Sequence, residues 1–335
     1  MMVFNIALIG AGGMASHWAE AIKKTAGIKL KAVVDVRRSR AEILASRFKN
    51  CEAKTDWRIV IKSPHIHAVI VAVPHYLLAK ISRAALLAGK HVLSEKPAAL
   101  NIQELRAVLT AAKKSRRTYM VNFKHRYHDA FFTAKRLVGQ GAIGAILFIR
   151  AIYGFGGRRH YEQEWRFNKR ISGGGELLDQ GTQMIDLARW FLGDFNEVRG
   201  LIQDLFWKRG IEDNAFVLMK NSRGQIASIH VSWTQWKWIH SFQIFGTRGY
   251  LLIDGLGKKY GGPERLTIGR RHPQFLKPPK EQLVVFEGDD IEALSRELKE
   301  FRAAMRARRQ PAGNGRDMYE VLKIIQKVYK QNKLA

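Results

Sequence analysis

A chain of 335 residues is long enough for two domains and a substantial core, and 46% hydrophobic with 26% charged residues is the balance of an ordinary globular protein. The formal net charge of +28 is less ordinary and points to an anionic partner, but its lysines and arginines ("KKTAGIKLK", "RRSR", "KKSRR", "RARR") are scattered and form no recognised nucleic-acid module, which argues against dedicated nucleic-acid binding. No apolar run is long enough to span a bilayer, "MMVFNIALIGAGGM" lacks the marks of a signal peptide, and the single Cys51 excludes an internal disulfide, so a cytoplasmic protein is expected.

The first elements alternate. "NIALIGAGG" is a short apolar strand ending in glycines, and "MASHWAEAIKKTA" a helix. Strand and helix signals then follow in turn: "KLKAVVDV", "RAEILASRF", "HAVIVAVP", "YLLAKISRAALLAGK", "HVLSEKP", "NIQELRAVLTAAKKS" and "TYMVNF". Near-continuous apolar strands between amphipathic helices predict a parallel sheet covered on both faces. Within this region "GAGGMA" has the G-x-G-x-x-A pattern between a strand and a helix. Gly10 permits the tight turn, and Gly12, beside Gly13 and Met14, lets a pyrophosphate approach the backbone. Ala15 keeps the helix close to the strand. Asp35, ending the second strand, is placed for a ribose; Val36, Arg37 and Arg38 follow it. The carboxylate favours NAD, while either arginine is able to receive the extra phosphate of NADP.

After Lys124 the pattern changes. A helix, "DAFFTAKRLVGQG", precedes strands separated by short turns: "AILFIRAIYGF", "FNEVRGLIQDLFW", "EDNAFVLMKN", "QIASIHVSWTQW" and "HSFQIFGTRGYLLIDG". Turns such as "NSRGQ" and "GTRGY" predict an antiparallel sheet. Between the first two strands, "SGGGELLDQGTQMIDLARWFLGD" reads as a helix buried nearly all round. It carries Asp179, Gln183 and Asp186 as a polar stripe that must be satisfied or used. Two helices close the chain, "DDIEALSRELKEFRAAMRARRQP" and one from about Asp317. The glycine-hinged loop "YGFGGRRHYEQEWRF" groups Tyr153, Arg158, Tyr161, Trp165 and Arg166, aromatic faces for a sugar ring or base and guanidinium forks for phosphate or carboxylate. "HIH" and "HRYH" lack the acidic or cysteine partners of a metal site.

Three blocks together resemble the Gfo/Idh/MocA family of sugar and cyclitol oxidoreductases: the "GAGGMA" turn, "AALLAGKHVLSEKP" with its Glu95-Lys96-Pro97 ending, and the glycine run leading to Asp179 and Gln183. The resemblance implies a Rossmann domain (1–123) and an α+β domain (124–335). The second has an open-faced, mostly antiparallel sheet for substrate binding and for pairing subunits into a dimer or tetramer; its C-terminal helices are able to pack back on the first domain. It implies that Val73, Pro74, His75, Glu95 and Asn122 join the turn residues around the cofactor, and that Lys96 lies beside the nicotinamide. A lysine buried against a positive ring works as acid or base near neutrality. Substrate contacts extend to Lys124 and Arg126 of "NFKHRYHD".

The chain departs from that pattern at Gln183, where the family carries histidine; at Lys124, where a small polar residue is expected; and at Phe155, in place of histidine. An amide cannot hold a proton at neutral pH. Either Lys96 is the base with Asp179 positioning it, or His125, His128 or His160 substitutes, or the reaction is lost. The expectation is therefore an NAD(P)-dependent oxidoreductase acting on a secondary alcohol of a sugar, cyclitol or nucleotide sugar. The alternatives are a redox-neutral epimerase or eliminase using NAD, and a cofactor-binding regulator without catalysis.

Overall fold

The computed structural model describes residues 3–275 and 277–333. Two compact units divide the chain: residues 1–124, 170–173 and 291–319 form the first, and 125–169, 174–290 and 320–335 the second.

The first unit is built on six strands, β1 (Phe4–Ile9), β2 (Ile28–Val34), β3 (Glu52–Lys54), β4 (Ala68–Val71), β5 (His91–Ser94) and β6 (Tyr119–Val121), in the order β3-β2-β1-β4-β5-β6. Every neighbouring pair is parallel. The connecting helices are α1 (Gly13–Lys23), α2 (Arg38–Ala45), α3 (Trp57–Lys62), α4 (His75–Leu87) and α5 (Ile102–Ser115). The central β4 is buried along its whole length, which is why its sequence is purely apolar rather than alternating. This strand order reverses direction between β1 and β4, and dinucleotides bind beyond the carboxyl ends of such strands. β3 and α3 have no counterpart in the sequence reading: a three-residue strand shows no periodicity.

The second unit has helices α6 (Asp129–Gly139), the one-turn α7 (Lys169–Ser172, shared with the first unit) and α8 (Thr182–Leu192), the last preceded by a π-turn, Leu177–Gly181. Its sheet contains β7 (Ile146–Gly154), β8 (Phe195–Gln203), β9 (Asn214–Asn221), β10 (Ile226–Ser232), β11 (Ile239–Gly246), β12 (Gly249–Asp254), β13 (Glu264–Arg270) and β14 (Lys280–Phe286), ordered β14-β13-β12-β11-β7-β10-β9-β8. All pairs are antiparallel except β7 with β10. Strands β13 and β14 lie beyond those read from the sequence; β14 is mostly exposed, and its short Leu-Val-Val-Phe run shows no alternation. α6 and α8 contact one face of this sheet. On strands β7 to β10, Leu201, Phe216, Leu218 and Ile226 remain exposed. Helices α9 (Asp290–Ala307) and α10 (Gly315–Gln331) follow; α9 joins the first unit, where Ser295 meets Thr25 and Glu297 accepts the Phe123 N–H.

Candidate active site

In the first unit the turn between β1 and α1 is held by close backbone approach. Gly10 has φ +100°, and a Cβ there would lie 2.1 Å from the Ala72 carbonyl oxygen, so no other residue fits. A Cβ at Gly12 or Gly13 would instead meet nothing within 4 Å, leaving open space over the first amides of α1. Those amides have no intrahelical acceptor, and the first turn of α1 contains no acidic residue. Glycine turn, free amides and space together fit a pyrophosphate. Asp35 accepts the Ala11 N–H at 2.8 Å and the Arg37 N–H at 2.9 Å. It therefore braces the turn, and the remaining lone pairs of both oxygens are those a ribose would use. Arg37 and Val36 are exposed, and Arg38 lies against Glu42 at 2.8 Å.

The tip of β5 carries the Glu-Lys-Pro signature. The Lys96–Pro97 peptide is cis, and Lys96 is half-buried. Glu95 and Asn122, expected against the cofactor, have internal partners. Glu95 Oε1 accepts from Trp18 Nε1 at 2.7 Å and from Asn122 Nδ2 at 2.8 Å, while Asn122 Oδ1 accepts the Lys124 N–H at 3.0 Å. This net ties α1 to the ends of β5 and β6 and so fixes the strand tip on which Lys96 stands. His75, the first residue of α4 after Val73 and Pro74, is buried with Nδ1 2.8 Å from the Ser172 carbonyl.

In the second unit the glycine run opens the buried helix. Residues 177–188 are all buried, as the sequence pattern implies, but their first turn is a π-turn that the pattern does not reveal. Asp179 accepts from Arg166 Nε at 3.0 Å, and Arg166 Nη1 donates to Glu164 at 2.9 Å. Arg158 forks onto the same Glu164 with two bonds of 2.6 Å. Burial disfavours the Arg166 cation, but Asp179, Tyr161 and Glu164 outweigh it and raise its pKa. Gln183 is buried one turn beyond Asp179. Trp165 lies in this loop beside Arg166, whose guanidinium sits 4.8 Å over its ring.

The rest of the polar stripe is structural. Asp186, fully buried, takes a two-pronged bond from Arg126, Nε at 2.7 Å and Nη2 at 2.5 Å. Arg126, expected at the substrate, is 6% exposed and committed to this pair. Tyr161, also expected there, is closed into a cluster with Phe155, Ile211 and Trp233; burial first, then Asp179, pushes its hydroxyl well above the usual range. Tyr153 is likewise buried, edge-on to His125 and His240. Of the histidines weighed as substitutes for the missing one, His128 is held by Glu264 and by Asp290 at 3.3 Å, and His125 packs in the same buried ring cluster. His160 sits on the loop surface against Arg159.

Sequence reasoning missed Glu164 and Glu212. Glu212 Oε1 accepts the Gly175 N–H at 2.9 Å and the Tyr329 hydroxyl at 2.6 Å, clamping the start of the helix that carries Asp179. Burial pushes its carboxyl up to about 6 against those hydrogen bonds. The available signal was scarcity: with 29 acidic residues among 57 basic ones, an acid in an apolar stretch has a specific task.

A sequence profile described as the oxidoreductase family's NAD-binding Rossmann fold matches residues 4–123, and one for the Gfo/Idh/MocA C-terminal domain matches residues 131–252. The chain belongs to the Gfo/Idh/MocA oxidoreductase family. Its first unit is therefore the family's NAD-binding domain, and the Gly10–Ala15 turn fits that cofactor on its own geometry. Levoglucosan dehydrogenase of Pseudarthrobacter phenanthrenivorans is 34% identical over 58% of this chain, a match that spans half the length of that enzyme. Myo-inositol 2-dehydrogenase of Thermotoga maritima is 26% identical over 75% of each chain. A levoglucosan dehydrogenase structure in complex with NADH superimposes with a TM-score of 0.87 at 25% identity, covering 98% of both chains. Among the described residues no helix is long and apolar enough to cross a membrane.

Proposed function

We propose that this protein oxidises a secondary alcohol of a sugar-like substrate, or reduces the corresponding ketone, with NAD as its cofactor. The observation that carries this reading is the pairing, in one chain, of an open pyrophosphate turn braced by Asp35 with a lysine at a strand tip fixed by the Trp18–Glu95–Asn122 net. NAD held by the Gly10–Ala15 turn and Asp35 would supply the hydride acceptor for the carbinol carbon. The hydroxyl proton passes to Lys96 Nζ, because Gln183 is an amide and Arg166 does not give up a proton. Asp179, its charge balanced by Arg166, accepts a hydrogen bond from a substrate hydroxyl, and Gln183 orients the ring by donating one and accepting another. Arg158, Trp165 and Arg166, together on one loop of the second unit, are the further groups proposed for the substrate, and Lys124 is proposed with them. Lys96→Ala should abolish NADH formation, followed by absorbance, while leaving NAD binding by calorimetry intact. Gln183→Ala should only slow turnover. Comparable turnover without Lys96 would overturn the assignment.

We infer also that the exposed face of the second unit's sheet pairs subunits, supported by the exposed Leu201, Phe216, Leu218 and Ile226 on adjacent strands. A reducing, cytoplasmic setting suits the free Cys51, whose thiol burial pushes up to about 11.

A further inference from the structure

The second unit contains a buried acid that the reading above gives no part in the reaction. Glu212, just before β9, is 4% exposed, and the next residue, Asp213, is fully buried. Asp213 accepts the N–H groups of Leu205, Phe206 and Trp207 at 2.9, 2.8 and 2.9 Å, and its carbonyl takes the Trp233 N–H at 2.7 Å. Glu212 therefore stands on backbone that is tied down on both sides. Taking a carboxylate out of water is costly even when it is hydrogen-bonded, so packing alone gives no reason to keep one there.

Its partners are neutral donors at the entry to the buried helix. Besides the Gly175 N–H and the Tyr329 hydroxyl, the Leu177 N–H supports the carboxylate, and the Glu212 carbonyl oxygen accepts the Glu176 N–H at 3.0 Å. One residue thus holds the N–H groups of three successive residues. Tyr329 comes from the last turns of α10; burial first, then Glu212, keeps its hydroxyl well above the usual range, so it remains a donor. The glycine run is cut to this clasp. A Cβ at Gly174 would lie 2.1 Å from Tyr329 Oη, and one at Gly175 would lie 2.0 Å from the Glu212 carbonyl oxygen.

The clasp lies one peptide away from Asp179. The peptide between Gly175 and Glu176 gives its N–H to the Glu212 carbonyl, and its own carbonyl accepts the Asp179 N–H at 2.9 Å. Moving Glu212 therefore moves the group on which the Asp179 backbone hangs. Asp179 itself sits inside the π-turn Leu177–Gly181, a local widening of the helix that is frequent at functional sites.

We propose that Glu212 and Tyr329 are positioning residues for Asp179, fixing the start of the π-turn so that the Asp179 carboxylate meets the substrate hydroxyl. This rests on the oxidoreductase reading, in which Asp179 accepts that hydrogen bond. Misplacing such a group by about 1 Å costs on the order of a hundred-fold in rate, although the residue that moved it never touches the substrate.

The test compares Glu212→Ala, Glu212→Gln and Tyr329→Phe in the full protein. Three quantities are read: NADH formation with levoglucosan as the probe alcohol, NAD affinity by calorimetric titration, and amide hydrogen exchange of residues 175–183 by mass spectrometry. Glu212→Ala should lower kcat/KM about ten-fold or more and speed exchange in that segment, with NAD affinity unchanged. Glu212→Gln, whose amide oxygen accepts the same donors, should recover most of the loss, and Tyr329→Phe, which keeps the Gly175 bond, should fall between. Gln331→Ala/Asn332→Ala is the control from the same end of α10. These side chains bond the backbone of β8 at Val198 and Gly200, so their loss should lower Tm without changing kcat/KM or exchange at 175–183. If Glu212→Ala does not fold, Tyr329→Phe decides: parent-like kcat/KM and exchange in that variant overturn the proposal. A control whose kcat/KM falls as far as that of Tyr329→Phe overturns it too, since the effect is then one of stability. A parent that binds NAD but forms no NADH counts against the oxidoreductase reading alone, and the exchange data then keep or end the clasp.

Discussion

Replacing Arg126 by alanine tests whether that guanidinium serves the fold or the substrate. The side chain is 6% exposed and Asp186 is 0% exposed, with both guanidinium nitrogens on the two carboxylate oxygens. Removing the arginine leaves a carboxylate in a place with no water to solvate it, and breaking a buried pair in this way costs about 3–5 kcal/mol. For a body of this size each kcal/mol moves Tm by roughly 2–4 °C, so differential scanning calorimetry should show a fall of roughly 6–20 °C. Arg126→Met/Asp186→Leu removes both charges and should recover most of that loss. Saturation kinetics at a temperature where Arg126→Ala is still folded should give a KM close to the parent's. A variant that melts within about 2 °C of the parent but needs far more substrate would refute the reasoning and return Arg126 to the substrate.

Three further outcomes are expected. Asp35→Ser should weaken NAD binding about ten-fold or more and NADP binding less, measured by calorimetric titration, because a charged acceptor for two ribose hydroxyls is lost while Arg37 stays free to meet a phosphate. Burial works against the His128 imidazolium, but the hydrogen bonds to Asp290 and Glu264 outweigh it and raise its pKa. Its stabilisation is complete below the unfolded value of 6.5 and is lost as pH rises through the higher folded value; His128→Gln should therefore flatten the alkaline fall in Tm, and parallel curves would count against the clasp. Phe216→Glu with Leu218→Glu places charge on the exposed sheet face and should shift the protein toward monomer in light scattering without loss of helix or strand signal.

What could be read from the sequence was local. The β1–α1 turn was legible because Gly10 and Gly12 stand at fixed offsets between a strand and a helix, and the buried helix because its apolar residues leave room for only one polar stripe. What the stripe touches was not legible. Arg126 lies 60 positions from Asp186, and His128 lies 136 from Glu264, so only the folded sheet brings them together. An arginine in a basic stretch looks the same whether it greets an anion or neutralises a buried acid. Glu95 and Asn122 illustrate the point from the other side: they stand at strand ends where a ligand contact is expected, and each also has a partner within the frame that the sequence does not reveal.

Gln183, at the position where the family resemblance implies histidine, then takes a narrower meaning. Of the stripe's three polar residues, Asp186 belongs to the fold, and Asp179 is tied through Arg166 and Glu164 to a loop whose outer arginine also serves that chain of charges. A histidine at position 183, buried one turn from the Asp179 that Arg166 already neutralises, would add a cation there whenever it accepted a proton, and the low-dielectric setting would make that costly. Glutamine keeps the hydrogen bonds and removes the charge change. In the mechanism proposed above the proton goes to Lys96, which stands on a separately braced strand tip of the first unit. On this argument Gln183 and Arg166 form a coupled pair. Gln183→His alone should be poorly active, and Gln183→His with Arg166→Gln should regain turnover with a pH dependence that the parent lacks. Equal activity of the two variants across the pH range would break the link.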